Sequence, residues 1–267
     1  MTGDILRVAA ANAAVILVLA LVMWRIAVRI NDPSFIDTCW GAGFVVVAWV
    51  SFALTDSSGP RRPLLLAIAS VWGLRLAGYL FWRWRNNGPD ARYVAMLKRA
   101  PNPSVFMLTK VFLLQSVLLL VVSLPLQLGQ VYGGGVNGST VAGIVLAVIG
   151  IGFESTGDFQ LTRFKSDASN HGKVMDRGLW RYTRHPNYFG DFCVWWGIFL
   201  VSLTNAVTLI GIVAPLVMSV LLMRYSGVGP LEKQMHRTKP KYADYVARTS
   251  AFFPRPPRAV TANPVDA

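Results

Sequence analysis

VAGIVLAVIGIGFESTGDF, from Val141 to Phe159, decides the fold. Through Phe153 it carries no charge on any helical face, so it leaves no polar stripe for water and reads as a membrane span or a deeply buried helix. With 267 residues, 54% of them hydrophobic and 15% charged, the chain holds more such runs than a soluble core of its size requires. Apolar windows of about 17–25 residues recur at 5–30, 35–54, 63–82, 104–128, 141–159, 188–203 and 206–223. The expected fold is all-α and polytopic, with about seven transmembrane helices. Only Thr204 and Asn205 separate the last two, which predicts a tight hairpin and makes six the alternative count. No internal repeat and no strand pattern is visible. Residues 1–253 read as one transmembrane domain, and the Pro-rich 254–267 as a disordered tail. Asp4, with no basic leader and no cleavage pattern, makes the first span a retained helix.

Charge placement orients these helices. All Lys and Arg except Arg7, Arg61, Arg62 and Arg75 fall on the side reached after the first, third, fifth and seventh runs, with Arg25 and Arg29 in the last turns of the first run and Lys110 in the first turns of the fourth. Basic loops stay cytosolic, which predicts an N-terminus outside and a C-terminus inside. The net charge of +13 is then a topological signal plus attraction to anionic membrane lipids. No soluble basic domain exists to bind nucleic acid. Cys39 and Cys193 lack CxxC spacing, and His171, His185 and His236 lack metal-ligand spacing, so neither a disulfide nor a metal is expected. Gly133-Gly134-Gly135 has no Lys-Ser/Thr partner and reads as a connector, not a phosphate loop.

Charges at bilayer depth cost on the order of 3 kcal/mol each and require partners or a function. Glu154 and Asp158 lie four apart on one helical face, a stripe continued by Thr162 and Lys165. The following segment carries Lys173, Arg177, Arg181 and Arg184, a density suited to phosphates, and is expected to fold over the cytosolic mouth as a capping loop. Pro186 favours a helix start there, which places Asn187 and Asp191 four apart on its first turns and turns free backbone N–H groups toward an anion. Two polar stripes facing one basic loop make a cradle for an anionic ligand. Arg75, inside the third helix, needs a carboxylate; Asp37 is the natural candidate, either as a purely structural pair or lining a cavity in which Asp37 and Tyr79 donate to a substrate carbonyl. Beyond the last helix, an amphipathic stretch bearing Glu232, Tyr242 and Arg248 is placed to close the site from below.

Phe35-Ile36-Asp37-Thr38-Cys39-Trp40-Gly41, Glu154, Asp158 and above all Arg177-Gly178-Leu179-Trp180-Arg181-Tyr182-Thr183-Arg184-His185-Pro186-Asn187-Tyr188-Phe189-Gly190-Asp191 resemble the bacterial branch of unknown function among the steroid 5-alpha-reductase-like membrane proteins. Sterol C14 reductases and isoprenylcysteine methyltransferases belong to the same larger group, and the methyltransferases share the RHPxYxG core. The resemblance implies a bacterial inner-membrane protein binding NADPH through Glu154, Asp158, Lys165, Lys173, Arg181, Tyr182, Arg184, His185, Asn187, Tyr188 and Asp191, closed by Glu232, Tyr242 and Arg248. Glu154 stands where the steroid enzymes have Asn, and Ile36-Asp37 roughly replaces their substrate-holding Gln-Glu pair. It further implies reduction of an activated C=C bond in an apolar steroid-like, isoprenoid or lipid substrate entering from the bilayer, with Asp37, Tyr79 and Arg75 at the catalytic end. Two rival expectations are a methyltransferase using S-adenosylmethionine, gripped by Glu232, and a non-catalytic sterol- or lipid-binding protein.

Overall fold

The computed structural model describes residues 2–225 and 227–258. Among them no strand forms, and the helices are α1 (Thr2–Ile30), α2 (Ile36–Ala53), α3 (Arg61–Asn87), α4 (Ala91–Lys98), α5 (Pro103–Val122), α6 (Leu124–Tyr132), α7 (Gly138–Ser166), α8 (Pro186–Ser202), α9 (Thr208–Tyr225), α10 (Val228–Thr238) and α11 (Tyr242–Arg248). Six of these, α1, α2, α3, α5, α7 and α9, are long and apolar enough to cross a membrane. The chain is a helical integral membrane protein. The expected seventh span, α8, has 17 residues, about 25 Å of helix against a hydrocarbon core of about 30 Å.

One expected span is corrected. The run 104–128 does not form a single helix: α5 stops at Val122, the chain bends at Ser123, and α6 starts afresh at Leu124. Pro125 is the reason, since it has no N–H for the carbonyl four residues back and its ring clashes with that turn. Gln127 and Gln130 then lie buried on the separate helix α6. Gln127 donates to Ser123 Oγ at 2.9 Å, and Asn12 of α1 donates to Ser51 Oγ at 2.9 Å and Gln127 Oε1 at 3.4 Å, so polar side chains of these apolar helices bond across to one another. Helix α5 starts where Asn102 Oδ1 caps Val105 N at 3.1 Å with Pro103 in the first turn, then passes through a π-helical stretch, Met107–Leu113.

The chain divides into two compact units, one running up to Ile144 with Gly197–Pro215, the other Val145–Trp196 with Leu216 onward. In the first, α2 and α3 pack backbone on backbone: a Cβ added at Gly41 would lie 2.5 Å from the Gly73 carbonyl oxygen. At the opposite end from α4, Arg61 is buried, donating to Gly135 O at 2.6 Å and to Leu203 O. The expected hairpin after α8 is held by Asn205, whose Oδ1 accepts from Val207 N at 2.9 Å and Thr208 N at 3.2 Å. In the second unit, the α7–α8 contact depends on Gly190, where a Cβ would sit 2.5 Å from both Glu154 N and Gly150 O. Residues 254–258 of the expected disordered tail are pinned, with Arg255 N donating to Tyr182 O at 3.0 Å and Arg258 N to Arg248 O at 2.9 Å; 259–267 lie outside the described residues.

Candidate functional site

The polar segment between α7 and α8 is fastened residue by residue within the second unit. Gly178 takes φ +58°, and a Cβ there would strike the Gln160 amide at 2.5 Å, so only glycine fits. Gln160 Oε1 accepts from Leu179 N at 3.0 Å, Trp180 Nε1 donates to Gly157 O at 3.1 Å, and Tyr245 OH donates to Trp180 O. Thr183 Oγ1 donates to Phe252 O at 2.7 Å and Arg184 N to Ser250 O at 2.9 Å. The loop is therefore a plug held between the end of α7 and the segment after α11. Gln160 and Tyr245 were not read from sequence as site residues, and Trp180 and Thr183 were read only as part of the motif; such side chains carry no local signal of a distant backbone partner.

At the centre, Arg184 Nε donates to Glu232 Oε1 at 2.7 Å, and His185 Nε2 lies 3.2 Å from the same oxygen. The other end of Arg184 donates to Thr249 O and Val246 O. His185 stacks on Tyr188, ring centroids 5.6 Å apart. Tyr242 is buried beside this cluster; burial and the Glu232 carboxylate raise its pKa to about 12, so it remains a donor. Beside Arg184 lies a cavity of about 300 Å³ lined by Arg248, Thr249, Ser250, Arg255 and Arg258. Arg248 is paired with Asp176 at 3.0 Å. The excess of arginine over carboxylate suits an anion.

Burial pushes the Glu232 carboxyl upward, but the hydrogen bonds from His185 and Arg184, with the Arg184 charge, outweigh it and hold the pKa at about 2. Because the folded value lies below the ordinary 4.5, this stabilisation is complete above pH 4.5 and is lost as pH falls toward 2. The shift corresponds to about 3 kcal/mol. Acidification from pH 6 to pH 3 is expected to raise amide exchange selectively in α10 and α11; equal protection at both values would show that Glu232 does not hold them.

Along α7 and α8, Glu154, Asp158 and Asp191 are buried. Asn187 Nδ2 donates to Asp158 Oδ1 at 3.2 Å, which joins the two stripes read from sequence. Of the expected side chains, Lys165, Lys173, Arg181, Tyr182 and Arg248 are exposed, Arg248 in the lining of the cavity.

In the first unit, Asp37 opens α2 with partners that sequence did not suggest. Tyr93 OH donates to its Oδ1 at 2.9 Å, Arg92 lies 3.5 Å from Oδ2, and Gln115 Nε2 donates to Tyr93 OH at 3.1 Å. Asp90 presents α4, capping it through Arg92 N at 2.8 Å while chelating the Arg92 guanidinium. Tyr93 is buried in the apolar cluster of Ile36, Met107 and Phe112, and burial together with Asp37 keeps its phenol protonated far above the ordinary range. Arg75 sits half-buried in α3, and the Tyr79 ring stacks on Trp82 with centroids 6.2 Å apart.

These features define a helical membrane protein whose extramembrane loop is locked over buried carboxylates. A family model described as "Protein of unknown function (DUF1295)" matches residues 23–249, and the chain belongs to that family. No curated protein and no solved structure matches it.

Proposed function

We propose that the protein is a membrane-embedded reductase that uses NADPH to saturate an activated C=C bond in an apolar substrate drawn from the bilayer. The observation that carries this reading is the second unit's donor set. Arg184 and His185 meet Glu232 beside an arginine-lined cavity of about 300 Å³, and along α7 and α8 Asn187 bonds Asp158, with Glu154 and Asp191 also buried. Arginines fit the phosphates of a dinucleotide, and buried carboxylates and an amide fit its hydroxyls and carboxamide. Glu154, Lys165, Lys173, Arg181, Tyr182, Tyr188, Glu232 and Arg248 complete the proposed cofactor set.

When bound, the nicotinamide supplies a hydride. The chain's own part is to exclude water, orient the cofactor from the Arg184 loop, and hold a proton at the substrate end, where Asp37 and Tyr93 form a hydrogen-bonded pair and Arg75 and Tyr79 are further candidates. Keeping every basic segment on the cytosolic face requires α8 to serve as the seventh crossing, with the N-terminus outside; the bacterial inner membrane is the proposed location.

The grip of Arg184 and His185 on Glu232 favours a second reading, a methyltransferase that uses S-adenosylmethionine. Thermal-shift titrations of the detergent-purified protein separate them. NADPH is expected to bind at least about tenfold tighter than S-adenosylmethionine, a gap of about 1.4 kcal/mol. Stabilisation by S-adenosylmethionine alone would transfer the assignment to methyl transfer.

A further inference from the structure

A cavity of about 200 Å³ lies between α1, α2 and α5. Its walls are apolar, with Ile16, Met23, Trp40 and Phe112 prominent, and the polar side chains on them include Gln115 and Ser116. Ser116 already donates its hydroxyl to Phe112 O at 2.8 Å. Gln115 is different. Its Nε2 gives one hydrogen to Tyr93 OH, and Tyr93 in turn gives its own to Asp37, so the chain of donors fixes which way the carboxamide faces. Its second N–H and its carbonyl oxygen have no partner among the described residues. At bilayer depth an unmet amide is costly, and this one is held at the edge of an apolar space by buried Tyr93 and by Asp37. The wide π-helical turn, Met107–Leu113, ends two residues before Gln115, a feature that recurs at functional sites.

We infer that this cavity is the substrate pocket, and that it takes a single hydrocarbon chain or one to two rings whose carbonyl or hydroxyl oxygen is anchored by Gln115, itself held by the Tyr93–Asp37 pair. The size decides the class. An apolar cavity of about 150 Å³ accommodates benzene, whereas sites for drug-sized molecules run from about 300 Å³ upward. A tetracyclic skeleton exceeds the space, and a slim lipid or monocyclic compound fills it. The inference rests on the reductase reading only in calling the occupant a substrate; the site itself requires no cofactor.

Photolabelling of the full chain in detergent without cofactor tests it, using a diazirine-bearing medium-chain ketone and a hydrocarbon diazirine of equal length. The ketone is expected to label peptides containing Trp40 and Phe112, and excess unlabelled 2-decanone should suppress that labelling but not labelling at Leu209 and Ile210, which are exposed on α9. Gln115→Leu should reduce ketone labelling of the cavity about fivefold, the loss of one hydrogen bond, while hydrocarbon labelling stays unchanged. Ser116→Phe should reduce both by filling the space. Equal labelling by the two probes in the wild-type chain, or ketone labelling that competitor does not suppress, would overturn the proposal as bilayer partitioning. Because competition is read on the wild-type protein, the result does not depend on whether the variants fold. Specific labelling without NADPH binding would retain the pocket and remove the reductase reading.

Discussion

Replacing Arg184 by alanine is expected to loosen the whole closure of the loop, at a cost of about 3–5 kcal/mol, the usual scale for stranding a partner of a buried ion pair. The guanidinium is 8% exposed and joins three elements: Glu232 of α10, Val246 of α11 and the Thr249 carbonyl that follows. Alanine leaves the Glu232 carboxylate with His185 alone and two carbonyls without their donor. The melting temperature of the purified protein should fall by roughly 10 °C, with amide exchange rising across 228–255 and hardly at all in α1–α3. Arg184→Lys should recover part of the loss by restoring charge without the fork geometry. Unaltered exchange in 228–255 would show that the loop is held by its backbone bonds alone.

Asp37→Asn is expected to act on turnover and not on the cofactor. The amide retains an oxygen for Tyr93 but cannot carry an ionisable proton. Reduction of a medium-chain enone should drop by on the order of 10²-fold, while NADPH affinity stays within about threefold, since Asp37 lies in α2 and the proposed cofactor residues lie in the other unit. Stability should change by less than about 1 kcal/mol, because the Arg92 side of the pair is 51% exposed. Tyr93→Phe, which breaks the link to Gln115, should produce a turnover loss of similar size. Single-turnover hydride transfer and melting temperature on the same preparations decide it. A stable Asp37→Asn variant with undiminished turnover would pass the role to Tyr79.

The helices were legible because a membrane span is written in consecutive residues. The exception at Ser123 shows the limit: hydropathy sums over Leu124-Pro125-Leu126 without registering that Pro125 interrupts the hydrogen-bond ladder. The segment from Arg184 to Asp191 could be found because charge at the mouth of an apolar helix is locally anomalous. Its fastening could not, since Arg184 is held by residues from 232 to 249 and Thr183 by Phe252. Asp37 shows the same thing at the other unit. Arg75 was the charge most in need of an acid, yet Arg92 and Tyr93 engage Asp37. They reach it because α4 folds back beside α2, and nothing in the run Asp90-Ala91-Arg92-Tyr93 specifies that return.

The strapping of the loop by Ser250, Phe252 and Arg255 also sets an order of events during synthesis. Chains fold from the N-terminus as they emerge, so the loop at 177–185 leaves the ribosome about 70 residues before its straps and meanwhile has the bonds to Gly157 and Gln160 to hold it. A nascent chain halted after α9 would thus be inserted, yet would carry an unclosed, arginine-rich loop open to proteases. The last straps to dock, at Ser250, Phe252 and Arg255, are what fix that loop in place.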